Sequence, residues 1–269
     1  MNIISVSRRT DVPSFFAKWF LERLNQGFCQ VLNPFNGKDN LVSLKEEDVI
    51  GFVFWSKNYI LFQDILELLR ERKYKFYLNY TVNNYPKKIE NLTSSNEDIA
   101  KNLIKLSAEY TIFWRYDPIY VSRETDFDFH IKNFDFLSSI FQGRVNRVII
   151  NFIQEYPKVI RKLNNSFYNT PYEYSYLSPE NKISFAEELK KIADKRGMRL
   201  TSCDEFLQKN TLIEKSRCVD KTIFENQTGE YYNIKSSPTF KGCSCHKSVD
   251  IGFYNSCKNG CVYCYAMNK

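Results

Sequence analysis

Short runs of apolar, β-branched and aromatic residues alternate along the chain with segments in which apolar residues recur at helical spacing. This alternation is typical of strand and helix units arranged around a parallel sheet. The predicted strands lie at residues 3–6, 29–32, 50–55, 76–80, 111–115, 147–152 and 198–201. We therefore predict an α/β fold, with a TIM-type full or partial (β/α) barrel in residues 1–202.

Five helices are predicted to begin near Pro13, Leu61, Asn96, Phe129 and Ser184. The last of these has signals at both ends. Ser184 and Glu187 have the spacing of a capping box, and Gly197 stands where a C-terminal cap belongs. The pattern thus predicts a helix over residues 185–196.

Short polar segments follow most of the predicted strands. They are residues 7–11, 33–36, 56–58, 81–83, 115–118, 154–155 and 202–204. Sites in parallel α/β folds collect at the carboxyl ends of the strands, so these segments predict one pocket rim, although Ser, Asn, Asp and Pro are also ordinary turn and cap residues. The predicted pocket residues are Arg8, Arg9, Lys57, Asn58, Arg115 and Asp117.

Arginines at strand ends suit bidentate capture of a carboxylate or phosphate, and structural ion pairing is the alternative. Asp11 or Asp117 would hold an arginine in place in that case. Lys and Arg total 38 against 31 Asp and Glu, a net charge of +7, which favours an anionic partner. A lysine- and asparagine-rich codon bias explains the same excess, and nucleic acid stays open as a partner.

The chain has no apolar run near the ~20 residues that a membrane span needs, and its first residues lack the features of a signal peptide. We therefore expect a cytoplasmic protein without a membrane partner. Seven of the eight cysteines lie after residue 200, and clustered cysteines in an intracellular chain indicate metal ligands or redox groups. Residues 203–269 are predicted to be a cysteine-rich segment that packs on the mouth of the barrel.

The end of the chain contains Cys257, Cys261 and Cys264 in a C-x3-C-x2-C arrangement, here called the cysteine loop. Three soft thiolates this close can hold one cubane iron–sulfur cluster and leave one iron without a protein ligand. A structural zinc site usually takes four ligands and fits less well. Free thiols are the remaining alternative.

The cysteine loop resembles the signature of the radical S-adenosylmethionine (radical SAM) superfamily, in which an aromatic residue, here Tyr263, precedes the third cysteine. The whole chain is similar to an uncharacterised radical-SAM-related family with a cysteine-rich C-terminus. That family has SRRTD, NPFN, W-[ST]-K-N and R-Y-D-P segments, which correspond here to residues 7–11, 33–36, 55–58 and 115–118.

The resemblance implies a [4Fe–4S] cluster on the three loop cysteines, with SAM on the fourth iron and Tyr263 against the adenine. Reductive cleavage of SAM would give a 5′-deoxyadenosyl radical that acts on an unidentified substrate, and the cations of the predicted pocket suit capture of an anionic one. An electron donor such as a ferredoxin or flavodoxin is implied as a partner. In most superfamily members the cysteine loop follows the first barrel strand, so its place at the end of this chain predicts a permuted order of elements.

Four further cysteines, Cys203, Cys218, Cys243 and Cys245, are here called the thiol tetrad. Four thiolates are enough to close an auxiliary [4Fe–4S] cluster, which is our prediction. A zinc site with four thiolates and buried apolar cysteines are the alternatives. His246, beside Cys245, could substitute as a ligand, but we expect it to be a capping or exposed residue, and Cys29 a core residue.

Two other classes of function compete with the radical enzyme. The first is a non-catalytic iron–sulfur or zinc protein, in which the cysteines stabilise the C-terminal segment or carry electrons. The second is a nucleic-acid-binding protein whose basic surface follows phosphates, and its binding would weaken steeply with salt.

Overall fold

The structure of the protein is a computed structural model that describes residues 1–32, 37–238 and 243–267. Its strands are β1 (Asn2–Val6), β2 (Phe28–Leu32), β3 (Asp39–Ser43), β4 (Val49–Ser56), β5 (Phe76–Thr81), β6 (Ile112–Ile119), β7 (Arg147–Phe152), β8 (Arg199–Ser202), β9 (Glu214–Lys215) and β10 (Val249–Asp250). Its α-helices are α1 (Val12–Phe15), α2 (Ala17–Gln26), α3 (Gln63–Glu71), α4 (Asn96–Ser107), α5 (Phe127–Phe141), α6 (Pro157–Phe167), α7 (Pro179–Lys195), α8 (Glu205–Asn210) and α9 (Lys221–Thr228).

Eight strands form one parallel sheet in the order β10-β1-β4-β5-β6-β7-β8-β9. The two outer strands, β10 and β9, both come from the segment after residue 203. The α/β class and the central parallel sheet are confirmed, and the sheet described here is open rather than a closed barrel. Strands β2 and β3 form a separate antiparallel hairpin.

One face of the sheet packs against the helices that connect the strands. Alternate residues of the central strands enter this core, because successive side chains of a strand point to opposite faces. Trp114 of β6 is fully buried there, with ring centroids 5.1 Å from Phe134 and 5.0 Å from Phe141 of α5. Burying each such ring stabilises the fold by about 1.5–3 kcal/mol.

The opposite face of the sheet, here called the inner face, is covered by the C-terminal segment rather than by connecting helices. Tyr77 and Phe113 from the sheet pack there with Phe224 of α9 and with the thiol tetrad. Gly51 of β4 allows this contact, since a Cβ atom at that position would lie 2.2 Å from Cε1 of Phe224. The cysteine-rich segment therefore takes part in the main fold.

Most of the predicted elements are present, with shifts of a few residues at their ends. The predicted strand at 29–32 is correct, but it belongs to the β2–β3 hairpin and not to the sheet. The predicted start of a helix at Ser184 is wrong. Helix α7 begins at Pro179, because the Ser178 side chain accepts the N–H of Asn181 and proline favours the first helical turn.

Of two further predictions, the structure tests the first and not the second. Cys29 is a fully buried core residue, as predicted. The segment 33–36, predicted as part of the pocket rim and of the family resemblance, lies outside the described residues.

In the part of the chain that the structure describes, no helix has the length and apolar character to cross a lipid bilayer.

Candidate functional site

The cysteine loop lies against the loops that follow β1 and β5. The amide of Val262 donates to the carbonyl of Ile89 at 3.1 Å, and the Ser256 hydroxyl donates to Thr10 Oγ1 at 2.7 Å. The Tyr265 hydroxyl donates to the carbonyl of Arg8 at 2.7 Å. These bonds fix the three loop thiols at the carboxyl edge of the parallel sheet, where sites in α/β folds are found.

Asp11 is the main anchor of the cysteine loop. Its carboxylate accepts hydrogen bonds from Asn259 Nδ2 at 2.8 Å, the Lys57 amide at 3.0 Å and the Ser56 hydroxyl at 2.6 Å. It also accepts the N–H of Ser14 at the start of α1. Burial raises the pKa of Asp11, and the hydrogen bonds from Lys57, Ser56 and Ser14 oppose the rise. Asp11 therefore joins the exits of β1 and β4 to the centre of the cysteine loop.

Glu90 is a second buried anchor, 2% exposed. Its Oε1 accepts from Lys57 Nζ at 2.8 Å and from Asn83 Nδ2 at 2.8 Å, and it also accepts the hydroxyl of Tyr263 in the cysteine loop. Burial would lower the pKa of Lys57, but Glu90, Cys261 and Asp11 outweigh that effect and raise it. Lys57 is thus a largely buried cation beside the cysteine loop, with 12% of its side chain exposed and its Nζ 5.8 Å from the Tyr263 ring centroid.

The thiols of Cys257 and Cys264 lie close enough to Cys261 to raise its pKa, and no hydrogen bond joins the loop sulfurs among the described residues. Cys261 is 8% exposed, whereas Cys257 and Cys264 are half-buried. Burial, then Asp11, raises the pKa of Cys257 to about 11. Burial also raises the pKa of Cys261, while Lys57 acts to lower it. The loop therefore brings three soft donors to one edge of the sheet beside the Lys57 ammonium, but among the described residues they do not yet form a group able to hold a metal ion.

Arg8 and Arg9 lie beside a third buried carboxylate, Asp250 of β10, with 3.8 Å from each Nε to the nearest carboxylate oxygen. Asp250 also accepts the Ser5 and Ser7 hydroxyls at 2.8 and 2.7 Å. The Nη1 atom of Arg8 is buried, and no hydrogen-bond partner for it stands among the described residues. Arg8 therefore retains an unused donor in a side chain that lies beside Asp250, Ser248 and Trp55.

Arg115 is committed to other residues of the protein. Its Nη2 contacts the Asp117 carboxylate, its Nη1 donates to Cys218 Sγ at 2.8 Å, and its guanidinium lies 5.1 Å from the Trp55 ring. Asp117 raises the pKa of Arg115 against the opposing effect of burial. Of the two acids predicted to hold an arginine, Asp117 makes that contact and Asp11 anchors the cysteine loop instead.

Asn58 has a structural position. Its Nδ2 donates to Ser94 Oγ at 2.7 Å, and its Oδ1 accepts the amide of Ile60 at the start of a 3₁₀ turn. His246 accepts the amide of Lys221 at 3.2 Å and so caps α9. Both side chains therefore form hydrogen bonds within the protein.

The thiol tetrad is gathered on the inner face, next to Arg115. Cys203 Sγ lies 3.2 Å from Cys218 Sγ, and interactions with Cys203, Cys218 and Cys243 raise the pKa of the Cys245 thiol. In residues 1–32, 37–238 and 243–267, no three or more His, Cys, Asp or Glu side chains already form a group able to hold a metal ion. The thiol tetrad lies on the inner face of the sheet, whereas the cysteine loop lies at its carboxyl edge. The thiols of the tetrad are in closer contact with one another than those of the cysteine loop.

Several residues of this site were missed by the sequence analysis. They are Glu90, Asp250 and Asn259, whereas Asn83, which donates to Glu90, lies in the predicted rim segment 81–83. Asn259 had a usable signal, since it lies within the C-x3-C spacing. Glu90 and Asp250 had none, because each is one acid among many in the chain.

These features define an α/β protein in which a C-terminal cysteine loop is anchored at the carboxyl edge of a parallel sheet. The chain belongs to the family described as DUF1848, a domain of unknown function, whose model matches residues 3–266. Among curated proteins, none matches the chain.

Proposed function

We propose that this protein is a radical SAM enzyme that holds a [4Fe–4S] cluster on Cys257, Cys261 and Cys264. The observation that carries the proposal is the anchoring of the cysteine loop by Asp11 and Glu90 at the carboxyl edge of the sheet. Three thiols from eight residues then lie at this edge of the sheet beside Lys57, a cation that is largely buried. A cluster held by these residues would supply the chemistry of one-electron cleavage of SAM at its C5′–S bond, to methionine and a 5′-deoxyadenosyl radical, with the electron coming from an external donor.

The donor set fits such a cluster in kind and in number. Thiolates are the ligands of iron–sulfur clusters, and three of them leave one iron free for a further ligand. Deprotonated thiols bring negative charge into a partly buried place, and Lys57 offsets it at short range. Lys57 is therefore expected to help the thiols bind, with Glu90 holding it in position.

The topology supports a finer proposal, that the open sheet is a partial barrel of permuted order. Strand β10 lies at the edge of the sheet and pairs in parallel with β1, with Ile4 opposite Val249. The cysteine loop follows β10 directly. In space the loop thus follows a strand at the edge of the sheet, much as the loop of most superfamily members follows the first strand of the barrel. In this sequence, however, the loop comes after all the strands.

Tyr263 and Arg8 are the chain's groups with the best placement for ligand contact. The Tyr263 hydroxyl is held by Glu90, and Asn83 Nδ2 lies 3.4 Å from it, so the ring has a fixed orientation. Arg8 offers the buried Nη1 donor, which suits the carboxylate of SAM or an anionic substrate. We propose that Tyr263 contacts the adenine and that Arg8 binds the anion.

The experiment is a SAM cleavage assay on anaerobically reconstituted protein with dithionite as the reductant. Wild type should hold iron on the cysteine loop and form 5′-deoxyadenosine. The C257A/C261A/C264A variant should lose about four irons and all cleavage. Cys29→Ala, which removes a buried cysteine far from the loop in sequence, is the matched control and should retain both. Unchanged iron in the triple variant would exclude this ligand set.

The two competing functions stay predictions with their own outcomes. A non-catalytic iron–sulfur protein would bind the cluster and form no 5′-deoxyadenosine under any reductant. A nucleic-acid-binding protein would show affinity that falls steeply between low and moderate salt. An electron donor of the ferredoxin or flavodoxin class is part of the main proposal, since the reaction consumes one electron.

A further inference from the structure

The thiol tetrad unites three distant parts of the chain. Cys203 follows β8, Cys218 precedes α9, and Cys243 and Cys245 precede β10. All four are buried, between 3% and 7% exposed. Apolar packing alone does not require four thiols to converge on one place, and their convergence suggests a shared ligand.

The spacing of the sulfurs distinguishes one metal ion from a cluster. Around a tetrahedral zinc ion with Zn–S bonds of about 2.3 Å, the sulfurs stand about 3.8 Å apart. Cys203 Sγ and Cys218 Sγ are 3.2 Å apart, so an opening of about half an ångström would fit this geometry. In a cubane each thiolate binds a different iron, and the sulfurs must stand much farther apart.

We propose that the thiol tetrad binds a single tetrahedral metal ion of the zinc class, in place of an auxiliary iron–sulfur cluster. Cys203, Cys218, Cys243 and Cys245 would each supply one thiolate. The site is distinct from the cysteine loop and serves to hold the C-terminal segment on the inner face of the sheet.

The surroundings of the tetrad suit such an ion. One divalent ion with four thiolates carries a double negative charge, which needs nearby donors when it is buried. Arg115 Nη1 lies 2.8 Å from Cys218 Sγ, and the amide of Cys245 points to Cys243 Sγ at 3.5 Å. The Arg115 guanidinium is itself held by Asp117.

The backbone around Cys218 is also fixed. Its carbonyl accepts the Tyr77 hydroxyl at 3.0 Å and Asn79 Nδ2 at 3.2 Å, and the Tyr77 hydroxyl in turn accepts the amide of Asp220 at 2.8 Å. Sheet residues thus position one ligand before any metal binds. Binding of the ion would then tie the exit of β8 and the approach to β10 to this point, because metal affinity adds to folding free energy.

The test is metal analysis and zinc K-edge X-ray absorption on the full-length wild-type protein. We expect about one zinc per chain with four sulfur neighbours at about 2.3 Å. The C203A/C245A variant should lose the zinc, and Cys29→Ala should retain it. If the C203A/C245A variant does not fold, the ligand distances of the wild-type protein decide the question alone.

None of these observations depends on the proposed function, and the C257A/C261A/C264A variant tests the two proposals separately. Zinc retained in this variant while its iron is lost supports both proposals. Zinc present in a wild type that never binds iron would end the proposed function and leave the zinc site standing. About eight irons and no zinc in wild type, oxygen or nitrogen ligands on the zinc, or a Cys203–Cys218 disulfide without metal would overturn the inference.

Discussion

Asn259 donates a hydrogen bond of 2.8 Å from its Nδ2 to Oδ2 of Asp11, 248 positions earlier in the chain. This contact joins the middle of the C-x3-C spacing to the exit of β1, and both residues are buried. It explains how a loop at the end of the chain has a defined place on the sheet. The Asp11 side chain, which follows β1, accepts hydrogen bonds both from the end of β4 and from the cysteine loop.

Asn259→Ala should therefore loosen the cysteine loop without unfolding the sheet. The change leaves one buried carboxylate oxygen short of a donor, at a cost of about 1.5–3 kcal/mol. We expect faster proteolysis after residue 251 and faster loss of reconstituted iron. Limited proteolysis with mass spectrometry measures the first, and iron retention over time measures the second. Asn165→Ala on the exposed face of α6 is the control, and equal behaviour of the two variants would contradict the anchoring role.

Arg8→Lys should weaken SAM binding about 10- to 100-fold, because the ammonium keeps the charge and loses one charge-assisted bond worth about 1.5–3 kcal/mol. This expectation follows from the unused Nη1 donor of Arg8. Arg115→Lys should leave SAM affinity nearly unchanged, since both Nη atoms of Arg115 are already bonded within the protein. Isothermal titration with SAM under anaerobic conditions compares them. A larger loss in Arg115→Lys than in Arg8→Lys would reverse the assignment.

The protein should lose stability as the pH falls from 6.5 to 4, because His130 takes up a proton more readily in the unfolded chain than in the folded one. Burial lowers the pKa of His130 to about 4, and its ring nitrogens contact the Tyr116 hydroxyl at 2.7 Å and the Tyr120 carbonyl at 2.9 Å. Between these pH values the unfolded chain binds a proton that the folded chain does not. The free energy of unfolding should thus fall by at most about 1.4 kcal/mol per pH unit, and by roughly 3 kcal/mol in total.

Urea unfolding of wild type and His130→Gln at a series of pH values measures this effect. Other titrating groups contribute to both proteins, so the difference between the two curves isolates His130. The difference should be largest at neutral pH and shrink as the pH approaches 4. Parallel curves would show that His130 does not titrate differently in the folded state.

Gly51→Ala should destabilise the fold by about 1–3 kcal/mol through crowding of the inner face. The new Cβ would meet the Phe224 ring at 2.2 Å and the Lys75 carbonyl at 2.8 Å. In a Phe224→Ala background the ring is gone, so the same change should cost less. A double-mutant cycle by chemical unfolding gives the coupling. Equal costs in both backgrounds would mean that α9 does not pack on β4 at this position.

The sheet could be predicted from the sequence because its central strands are continuous apolar runs bounded by polar segments. Strand β4 and strand β7 are examples, with nearly every residue buried. Strands β9 and β10 could not be predicted, since each has two residues and no pattern of its own. Their pairing depends on tertiary contacts such as the hydrogen bonds of Asp250 with β1.

The cysteines were identifiable by spacing, whereas the polar residues that hold them were not. Nothing local marks Glu90 as the partner of Lys57 and Tyr263, because the loop that carries it meets the cysteine loop only in the folded chain. The compactness of the thiol tetrad is likewise a property of the three-dimensional structure. Cys203 and Cys218 have a separation in sequence that fits either a cluster or a single ion.

The most direct test of the radical SAM proposal is electron paramagnetic resonance of the reduced, reconstituted protein with and without SAM. Wild type should give the signal of a reduced [4Fe–4S] cluster that shifts when SAM is added, and the C257A/C261A/C264A variant should lack that signal. A wild-type signal that SAM leaves unchanged, or a signal that persists in the triple variant, would contradict the assignment of SAM to a cluster on this loop.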